Sequence, residues 1–244
     1  MGQMKLSVII PCYNERENIP LIVERINNSF EGRENVEVIL VDNGSTDGSS
    51  AVFAAQLTGQ SLIRCIRVEH NQGYGHGILI GLDAARNADV YAWTHADMQT
   101  DPHDVLLAFD LLCAHDVETN IVKGKRKNRA ALDITFTYLM QVIASLVLKI
   151  KMNDVNAQPK VFSKKFYDSF VRGQAPQDFS LDLFLLCQAR KAEIAIMEIP
   201  VFFADRKYGE AKGGGSWRTR IKLIKRTLAY IFQLRRVINK AALK

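Results

Sequence analysis

A short polar segment near the middle of the chain has the residue types and spacing of a metal site. It reads T-H-A-D-M-Q-T-D-P over residues 94–102 and follows the apolar run Val90–Trp93. Asp97 and Gln99 are hard oxygen donors one residue apart, so in an extended segment both side chains point toward the same cation. His95 lies on that side as well. The spacing predicts a divalent ion, Mg2+ or Mn2+, bound by Asp97, Gln99 and His95, which would neutralise charge on a departing pyrophosphate.

Two further polar clusters follow apolar runs nearer the N-terminus. P-C-Y-N-E at residues 11–15 places the polar groups of Tyr13 and Glu15 beyond the first run. V-D-N-G-S-T-D-G-S at residues 41–49 places Asp42 at the end of a buried run, where its carboxylate can accept the N–H of a purine or pyrimidine base. Each cluster alone is also typical of a turn or a helix cap. Together they favour ligand binding.

A glycine-rich segment, N-Q-G-Y-G-H-G at residues 71–77, marks a transition from strand to helix. Gly73 and its neighbours would let a ligand approach the main chain, and the N–H groups at a helix start attract phosphate. The segment lacks both the G-x-G-x-x-G spacing after the first strand and the G-K-[ST] of a P-loop. Neither a dinucleotide-binding fold nor a P-loop NTPase is therefore indicated.

A basic segment near the C-terminus, R-K-Y-G-E-A-K at residues 206–212, contains two cations suited to phosphate oxygens. Arg206 offers a planar fork of donors and Lys212 a point charge. Flanking glycines would allow the segment to close over a ligand. The alternative is a solvated run of charges.

These clusters need elements that bring them together. Continuous apolar runs alternate along the chain with segments of helical periodicity. The apolar runs predict strands at 6–10, 36–41, 62–68 and 90–93, and the segments between and after them predict helices at 19–30, 50–57, 77–88 and 102–113. This order predicts an α/β fold with a mostly parallel sheet, helices on both faces and right-handed crossovers. Ligands bind such sheets beyond the carboxyl ends of the strands, which is where the polar clusters begin.

Charge divides the chain into a body and a tail. The chain has 244 residues, 48% of them hydrophobic, which is enough for one domain with a complete core. The net charge is +6, but ten cations follow Glu210 and leave the first 211 residues with 22 basic and 26 acidic side chains, a net charge of −4. We therefore expect one domain at residues 1–215 and a basic amphipathic helix at residues 216–244.

The tail and an apolar segment before it indicate contact with a membrane surface. Cations at residues 218–240 are interleaved with isoleucine and leucine rather than with base-stacking aromatics and glycines, which favours an anionic membrane surface over nucleic acid. Residues 134–150 are apolar but have polar interruptions, which predicts a buried or interface-lying helix rather than a membrane span.

The cysteines and the N-terminal residues predict a location. Four widely spaced cysteines without a C-x-x-C pair indicate reduced thiols, and the first residues lack the order of a signal peptide. We expect a cytoplasmic protein that attaches peripherally to the inner face of the membrane.

The order of the motifs resembles glycosyltransferase family two, the inverting enzymes with a Rossmann-like GT-A fold. The shared order, over roughly residues 5–215, comprises I-I-P-C-Y-N-E, V-D-N-G-S-T-D, N-Q-G-Y-G, H-A-D-M-Q, Q-P-K-V-F, D-F-S-L-D-L, E-I-P-V and R-K-Y-G-E-A-K. The pattern is similar to that of polyprenyl- and dolichyl-phosphate sugar transferases and their bacterial relatives. It implies a nucleotide-sugar donor, UDP or GDP based, and a lipid-linked or glycan acceptor of cell-envelope polysaccharide synthesis.

The resemblance also implies roles for individual residues. The nucleotide site would comprise Pro11, Tyr13, Glu15, Asp42, Gly73 and Asp97, the metal site Asp97 and Gln99, and the phosphate site Arg206 and Lys212. Three positions depart from the family pattern: His95 and Asn43 stand where aspartate is usual, and Ala211 stands where serine is usual. Imidazole is a softer ligand than carboxylate and titrates near pH ~6.5, so the metal role of His95 stays open.

An inverting transfer to a hydroxyl group needs a carboxylate base near the acceptor. The D-F-S-L-D-L segment offers Asp178 and Asp182 by motif position. A phosphate acceptor is already anionic and needs no base. For Asp182 the alternative is an exposed helix residue.

Two other functions remain open at this level. A nucleotidyltransferase shares the nucleotide, the metal and the crossovers, but usually has a glycine-rich basic loop where P-C-Y-N-E stands here. A nucleotide-sugar-binding protein with impaired catalysis would fit His95. The donor sugar, the acceptor and the oligomeric state are not determined by the sequence.

Overall fold

The computed structural model of the protein describes residues 3–127, 142–208 and 217–241. Its strands are β1 (Leu6–Cys12), β2 (Val36–Asn43), β3 (Ile63–Val68), β4 (Val90–Trp93), β5 (Asn120–Lys127), β6 (Lys160–Ser163) and β7 (Ala195–Phe202). Its helices are α1 (Ile19–Phe30), α2 (Ser49–Gln56), α3 (Tyr74–Ala84), α4 (His103–Cys113), α5 (Lys164–Phe170), α6 (Leu181–Lys191) and α7 (Trp217–Ala241). Residues 142–148 are also helical.

One sheet contains these strands in the order β3-β2-β1-β4-β6-β5-β7. β6 is antiparallel to both of its neighbours, and the other adjacent pairs are parallel. The carboxyl ends of β1, β2, β3 and β4 therefore meet at one edge, where open α/β sheets bind ligands. The predicted α/β fold with a mostly parallel sheet is confirmed.

Continuous apolar runs build the centre of the sheet. Val8, Ile9 and Ile10 in β1 have no exposed surface, and neither have residues 38–41 in β2. Such runs suit parallel strands that are covered on both faces. α1 contributes an apolar stripe at helical spacing to the same core cluster as alternate residues of β1 and β2, and this stripe is made of Ile19, Ile22, Val23, Ile26 and Phe30.

The predicted alternation of strands and helices is confirmed from β1 to α4. α3 differs most, because it begins at Tyr74 rather than at Gly77 and ends at Ala84 rather than at Ala88. Glycine weakens a helix, which argues against a start before Gly77. Packing overrides that preference, because a Cβ atom on Gly77 would lie 2.8 Å from Asn43 Cγ.

The contacts divide the chain into two units, Met1–Asn128 with Ala157–Tyr208 and Arg129–Asn156 with Gly209–Lys244. The first unit contains the sheet. In the second, residues 217–241 form α7, in which Ile231 and Leu234 are buried and Arg235 Nη1 donates to the Val147 carbonyl at 2.6 Å. The division into a domain at residues 1–215 and a separate basic helix at residues 216–244 stays a prediction. Residues 142–148 of the predicted apolar helix are helical, and the preceding part lies outside the described residues, as does the predicted boundary at 215.

None of the helices in the described ranges combines the length and the apolar character that crossing a membrane requires.

Candidate active site

Side-chain to main-chain hydrogen bonds join the loops that follow β1 and β2. The Asn14 N–H donates to Ser45 Oγ at 3.0 Å, and the Thr46 N–H donates to Asn14 Oδ1 at 2.8 Å. The Glu15 N–H donates to Ser49 Oγ at 3.2 Å. Asn14 has a positive φ of 54°, which asparagine tolerates better than most residues. The two clusters predicted from the sequence therefore form one structure.

The predicted nucleotide-binding residues at the end of β1 differ in solvent exposure. Pro11 and Tyr13 are partly exposed, whereas Glu15 is buried and its Oε2 accepts from Asn18 Nδ2 at 2.6 Å. Pro11 and Tyr13 are thus available to a ligand, and the Glu15 carboxylate also supports the start of α1.

Asp42, at the end of β2, is buried and held by two donors. Its Oδ1 accepts from the Ser45 N–H at 3.0 Å and its Oδ2 from the Ser50 hydroxyl. The residue also lines a cavity of about 530 Å³ between α2 and β3, together with Phe53 and Cys65. That volume is within the range of small-molecule pockets. Burial raises the pKa of the Cys65 thiol to about 11, so this side chain is uncharged at neutral pH.

Asn43 connects the loop after β2 to the glycine-rich segment. Its Nδ2 donates to the Gly73 carbonyl at 2.9 Å, a bond that an aspartate could not donate. Gly44 has φ +75°, and a Cβ atom there would lie 2.4 Å from the Asn71 nitrogen. The loops after β2 and β3 are therefore in direct main-chain contact.

Protein main chain, rather than open space, lies against the glycine-rich segment. A Cβ atom on Gly73 would lie 2.5 Å from the Gln177 oxygen, and one on Gly75 would lie 2.6 Å from the Pro176 oxygen. The His76 N–H donates to the Gln177 carbonyl at 2.8 Å. These glycines allow the start of α3 to contact the segment before α6. A contact between Gly73 and a nucleotide stays a prediction.

Asp97, Gln99 and Arg206 meet beyond β4. Arg206 Nη2 lies 2.6 Å from Asp97 Oδ2 and 3.2 Å from Gln99 Oε1. The loop after β7 is anchored there by the Ala204 N–H, which donates to the Gln99 carbonyl at 2.8 Å, and by Gln99 Nε2, which donates to the Ala204 carbonyl at 3.3 Å. The structure thus places a predicted phosphate ligand between two predicted metal ligands. Lys212, the second predicted phosphate ligand, lies outside the described residues.

The Asp97 carboxylate is buried yet charged at neutral pH. Burial raises its pKa, but His95, Arg206 and the Gln99 N–H, which donates to Oδ1 at 3.1 Å, lower it further than burial raises it. His95 Nδ1 lies 3.8 Å from Asp97 Oδ2, which is longer than a hydrogen bond and short enough for electrostatic stabilisation.

Tyr74, which the sequence did not single out, links His95 to the protein interior. Its hydroxyl lies 3.3 Å from His95 Nε2 and 3.2 Å from Gln158 Nε2. Its ring stacks on Phe179 with centroids 5.1 Å apart. Burial and the nearby carboxylates, Asp182 foremost, raise the pKa of Tyr74 well above its usual value, so the hydroxyl keeps its proton. A tyrosine between two glycines was the available signal.

Asp182 lies in the core and forms a buried ion pair. Its Oδ1 accepts from Lys160 Nζ and Gln158 Nε2, both at 2.9 Å, and from Trp93 Nε1 at 3.3 Å. Lys160 has no exposed surface and also donates to the Ala157 carbonyl at 2.6 Å. The alternative of an exposed helix residue is therefore wrong. Lys160 was missed, although a lone lysine in an apolar run is a signal for a buried partner.

Asp178, the other predicted base, is partly exposed in the segment before α6. Its Oδ1 accepts from the Ser180 N–H at 2.8 Å. Of the two predicted bases, Asp178 is the one whose carboxylate a substrate can reach without disrupting the core.

A comparison with known families decides the classification. The family described as "Glycosyl transferase family 2" matches residues 7–170, which is more than half of the chain. The chain belongs to glycosyl transferase family 2. The resemblance seen in the motifs is confirmed.

Curated relatives of this family 2 chain include the undecaprenyl-phosphate 4-deoxy-4-formamido-L-arabinose transferases of Salmonella choleraesuis (strain SC-B67) and Salmonella newport (strain SL254). Each is 27% identical over 214 residues, which is 85% of this chain and 62% of the relative. The chain thus spans less than two thirds of the length of these relatives.

Solved structures agree with the GT-A fold of the family. The mannosyltransferase PcManGT from Pyrobaculum calidifontis, in complex with GDP-Man and Mn2+, has a TM-score of 0.67 and 19% identity, covering 95% of this chain and 65% of that one. Glucosyl-3-phosphoglycerate synthase from Mycobacterium tuberculosis, in complex with Mn2+, UDP and glucosyl-3-phosphoglycerate, has a TM-score of 0.69 and 18% identity, covering 95% and 80%. The family 2 chain therefore has the α/β GT-A fold.

The donor atoms of the family 2 chain fit a divalent ion that arrives with phosphate. Within residues 3–127, 142–208 and 217–241 there is no cluster of three or more His, Cys, Asp or Glu side chains that could hold a metal. Asp97 and Gln99 nevertheless direct two hard oxygens at one cation, the Arg206 guanidinium. Mg2+ is commonly bound by one or two protein carboxylates and completed by water and substrate phosphates, and Mn2+ suits the same ligands.

Proposed function

We propose that this chain is an inverting glycosyltransferase that moves a sugar from UDP or GDP to a lipid-linked phosphate or a glycan of cell-envelope polysaccharide synthesis. The observation that carries the proposal is the convergence of Asp97, Gln99 and Arg206 at the carboxyl edge of the sheet, in a chain of glycosyl transferase family 2.

The donor nucleotide would bind along the loops after β1 and β2. Asp42 would accept an N–H of the base, since its carboxylate is already oriented by Ser45 and Ser50 and retains further lone pairs. Pro11 and Tyr13 are partly exposed at the end of the neighbouring strand and would line the nucleoside, with Glu15 behind them.

The diphosphate would lie against Asp97, Gln99 and Arg206. Asp97 and Gln99 would hold a Mg2+ or Mn2+ ion, which supplies Lewis-acid neutralisation of the leaving diphosphate when bound. Arg206 would then exchange its carboxylate partner for phosphate oxygens, to which its planar fork is suited. Lys212, on the same basic segment, would add a second charge.

Asp178 would act as the base for a hydroxyl acceptor. Its carboxylate is partly exposed, and residues 176–178 pack against the start of α3 at the same edge of the sheet. Asp182 would instead hold Trp93, Gln158 and Lys160 in place behind the site. With a phosphate acceptor, neither carboxylate is needed for deprotonation.

A lipid-linked acceptor is supported by the names of the curated relatives, which are undecaprenyl-phosphate transferases. The amphipathic α7, with cations Lys225, Arg226 and Arg236 exposed, would attach the protein to the anionic inner face of the cytoplasmic membrane.

A transfer assay tests the proposal. Purified protein is incubated with UDP- and GDP-sugars, Mn2+ or Mg2+, and polyprenyl phosphate or glycan acceptors, and the released UDP or GDP is measured. Acceptor-dependent release that ceases when the metal is chelated supports the proposal. Absence of release with every donor and acceptor contradicts it.

A nucleotide-sugar-binding protein with impaired catalysis is the second candidate, favoured by His95 in place of the usual aspartate and by the Arg206 contact to Asp97. Calorimetry with the same donors separates the two candidates. Binding without turnover would favour the binding protein.

A further inference from the structure

We propose that Tyr74 fixes His95 in the tautomer that is protonated at Nδ1. In this arrangement His95 is a positioning residue that directs an N–H group toward Asp97, and it does not bind the metal ion. The inference rests on a series of polar contacts that runs from the Asp182 carboxylate in the core to the Asp97 carboxylate in the site.

Gln158 sets the donor-to-acceptor direction of these hydrogen bonds. Its terminal nitrogen lies 2.9 Å from Asp182 Oδ1, an atom that also accepts from Lys160. A carboxylate accepts only, so the NH2 end of the amide must face it, because the amide oxygen would be repelled. The second hydrogen of that NH2 group is available to the Tyr74 hydroxyl, 3.2 Å away.

The Tyr74 hydroxyl therefore accepts from Gln158 and has its own hydrogen to donate. The Trp93 N–H, which also contacts this hydroxyl, can only donate, whereas His95 Nε2, at 3.3 Å, is able to accept that hydrogen. A nitrogen that accepts this hydrogen carries a lone pair, so the proton of the neutral imidazole is on Nδ1. The raised pKa of Tyr74 supports the same direction, because the hydroxyl stays protonated.

The geometry of the rings keeps this arrangement in place. Tyr74 is stacked on Phe179 at an interplanar angle of 8° and meets His95 edge-on at 71°. His95 Nδ1 then faces Asp97 Oδ2 at 3.8 Å, beside the Arg206 guanidinium. Nε2 has its lone pair engaged by Tyr74 and Nδ1 carries hydrogen, so neither ring nitrogen is left to bind a metal.

This arrangement gives a role to His95, which stands where the family usually has aspartate. A second aspartate at position 95 would repel Asp97, whereas an N–H group stabilises it. The role toward Asp97 rests on the proposed function, but the tautomer itself does not, so the two can fail separately.

Nitrogen-15 NMR of histidine-labelled protein measures the tautomer directly. Two-bond correlation spectra are recorded at about pH 8.5, where ordinary imidazoles are neutral. His95 is assigned by loss of its signals in His95→Asn. His115 is an internal reference, because its Nδ1 lies 2.9 Å from the Leu111 carbonyl and must carry the hydrogen to donate to it.

We expect His95 to show the Nδ1–H pattern in the wild-type protein and to keep it when Mg2+ and UDP are added. Tyr74→Phe retains the ring and its stacking but should convert His95 to a mixture dominated by the Nε2–H form, which is the usual preference of free histidine. Tyr167→Phe, which removes a hydroxyl that donates to Asp83 at 3.0 Å, is the matched control and should leave His95 unchanged.

An Nε2–H signal for wild-type His95 would overturn the proposal, and so would a Tyr74→Phe spectrum identical to that of the wild type. The wild-type spectrum suffices if the variant does not fold. In the transfer assay, His95→Asn keeps an N–H donor near the Nδ1 position and should retain kcat within tenfold, whereas His95→Ala should lose more. Equal losses in the two variants would refute the positioning role. An inactive wild-type protein would refute the proposed function while leaving the tautomer measurable.

Discussion

The Asp97 carboxylate is held by donors on both of its oxygens. Arg206 and the Gln99 N–H bind its two oxygens, and His95 lies beside them. The Gln99 N–H keeps one carboxylate oxygen oriented, so Arg206 is the partner that has to move when a metal ion and a diphosphate arrive.

We expect D97N to lower kcat/KM for sugar transfer by about 100-fold or more, because a metal ion supplies several kcal/mol of charge stabilisation. Initial rates and Mn2+ titration of the variant measure this. The control is D101N, since Asp101 is four residues away and pairs with the exposed Arg25 instead of facing the site. A D97N protein with wild-type turnover in Mn2+ would contradict the assignment.

At the scale of elements, the site depends on close packing between loops that follow different strands. The loop after β1 is bonded to the loop after β2, and Asn43 and Gly44 in turn contact the loop between β3 and α3. Small residues make these approaches feasible, because any Cβ atom at Gly44 would overlap main-chain atoms.

Gly44 and Gly32 form a matched pair for testing this packing. Their φ angles are +75° and +74°, but a Cβ atom at Gly32 would meet nothing within 4 Å. G32A should cost about 1–2 kcal/mol through its backbone conformation alone. G44A should cost at least about 2 kcal/mol more, because the clash forces the loop to move. Urea denaturation compares the two, and equal free energies of unfolding would show that the contact with Asn71 is unimportant.

The Lys160–Asp182 pair connects β6 to α6 inside the core. K160M should lower the free energy of unfolding by about 3–5 kcal/mol, because it leaves a buried carboxylate without its cation. K164M removes one partner of an exposed pair with Asp168 and should change stability by less than about 1 kcal/mol. Urea denaturation would again decide, and a K160M protein as stable as K164M would show that Trp93 and Gln158 satisfy the carboxylate alone.

At the scale of the whole molecule, charge is segregated. Ten cations follow Glu210, whereas the residues before them carry a net charge of −4. On α7 the exposed Phe232 and Ile221 are interleaved with these cations. Such a helix combines apolar burial with attraction to anionic lipid.

Flotation with vesicles of anionic and neutral lipid tests the membrane role. We expect binding that requires anionic lipid and falls with salt. The triple variant K225Q/R226Q/R236Q should bind about 100-fold more weakly, at about 1 kcal/mol for each cation. The control K165Q/R190Q/K191Q removes the same charge from exposed positions of the sheet-containing unit. Equal loss in both variants, or none in either, would contradict a specific role of α7.

The sequence by itself determined the first half of the fold and the family. Apolar runs such as residues 6–10 and 36–41 have the length and composition of buried parallel strands, and the polar residues after them fall at the strand ends for that reason. These are local properties, because the period of an element and its termination are written in consecutive residues. β6 and β7 were recognised only as the motifs Q-P-K-V-F and E-I-P-V, and β5 was not recognised, since β6 has only four residues and β5 is rich in charge.

Tertiary structure alone decided which polar groups meet. Arg206 contacts Asp97 across 109 positions of sequence, and Asp182 contacts Trp93 across 89. Such pairs depend on the strand order and on the return of the chain through β6, which no local pattern contains. The glycines of residues 71–77 show the difference between the two levels. The sequence indicated that a ligand or another segment approaches the main chain closely there. Only the fold determined that this neighbour is the main chain of residues 176–178.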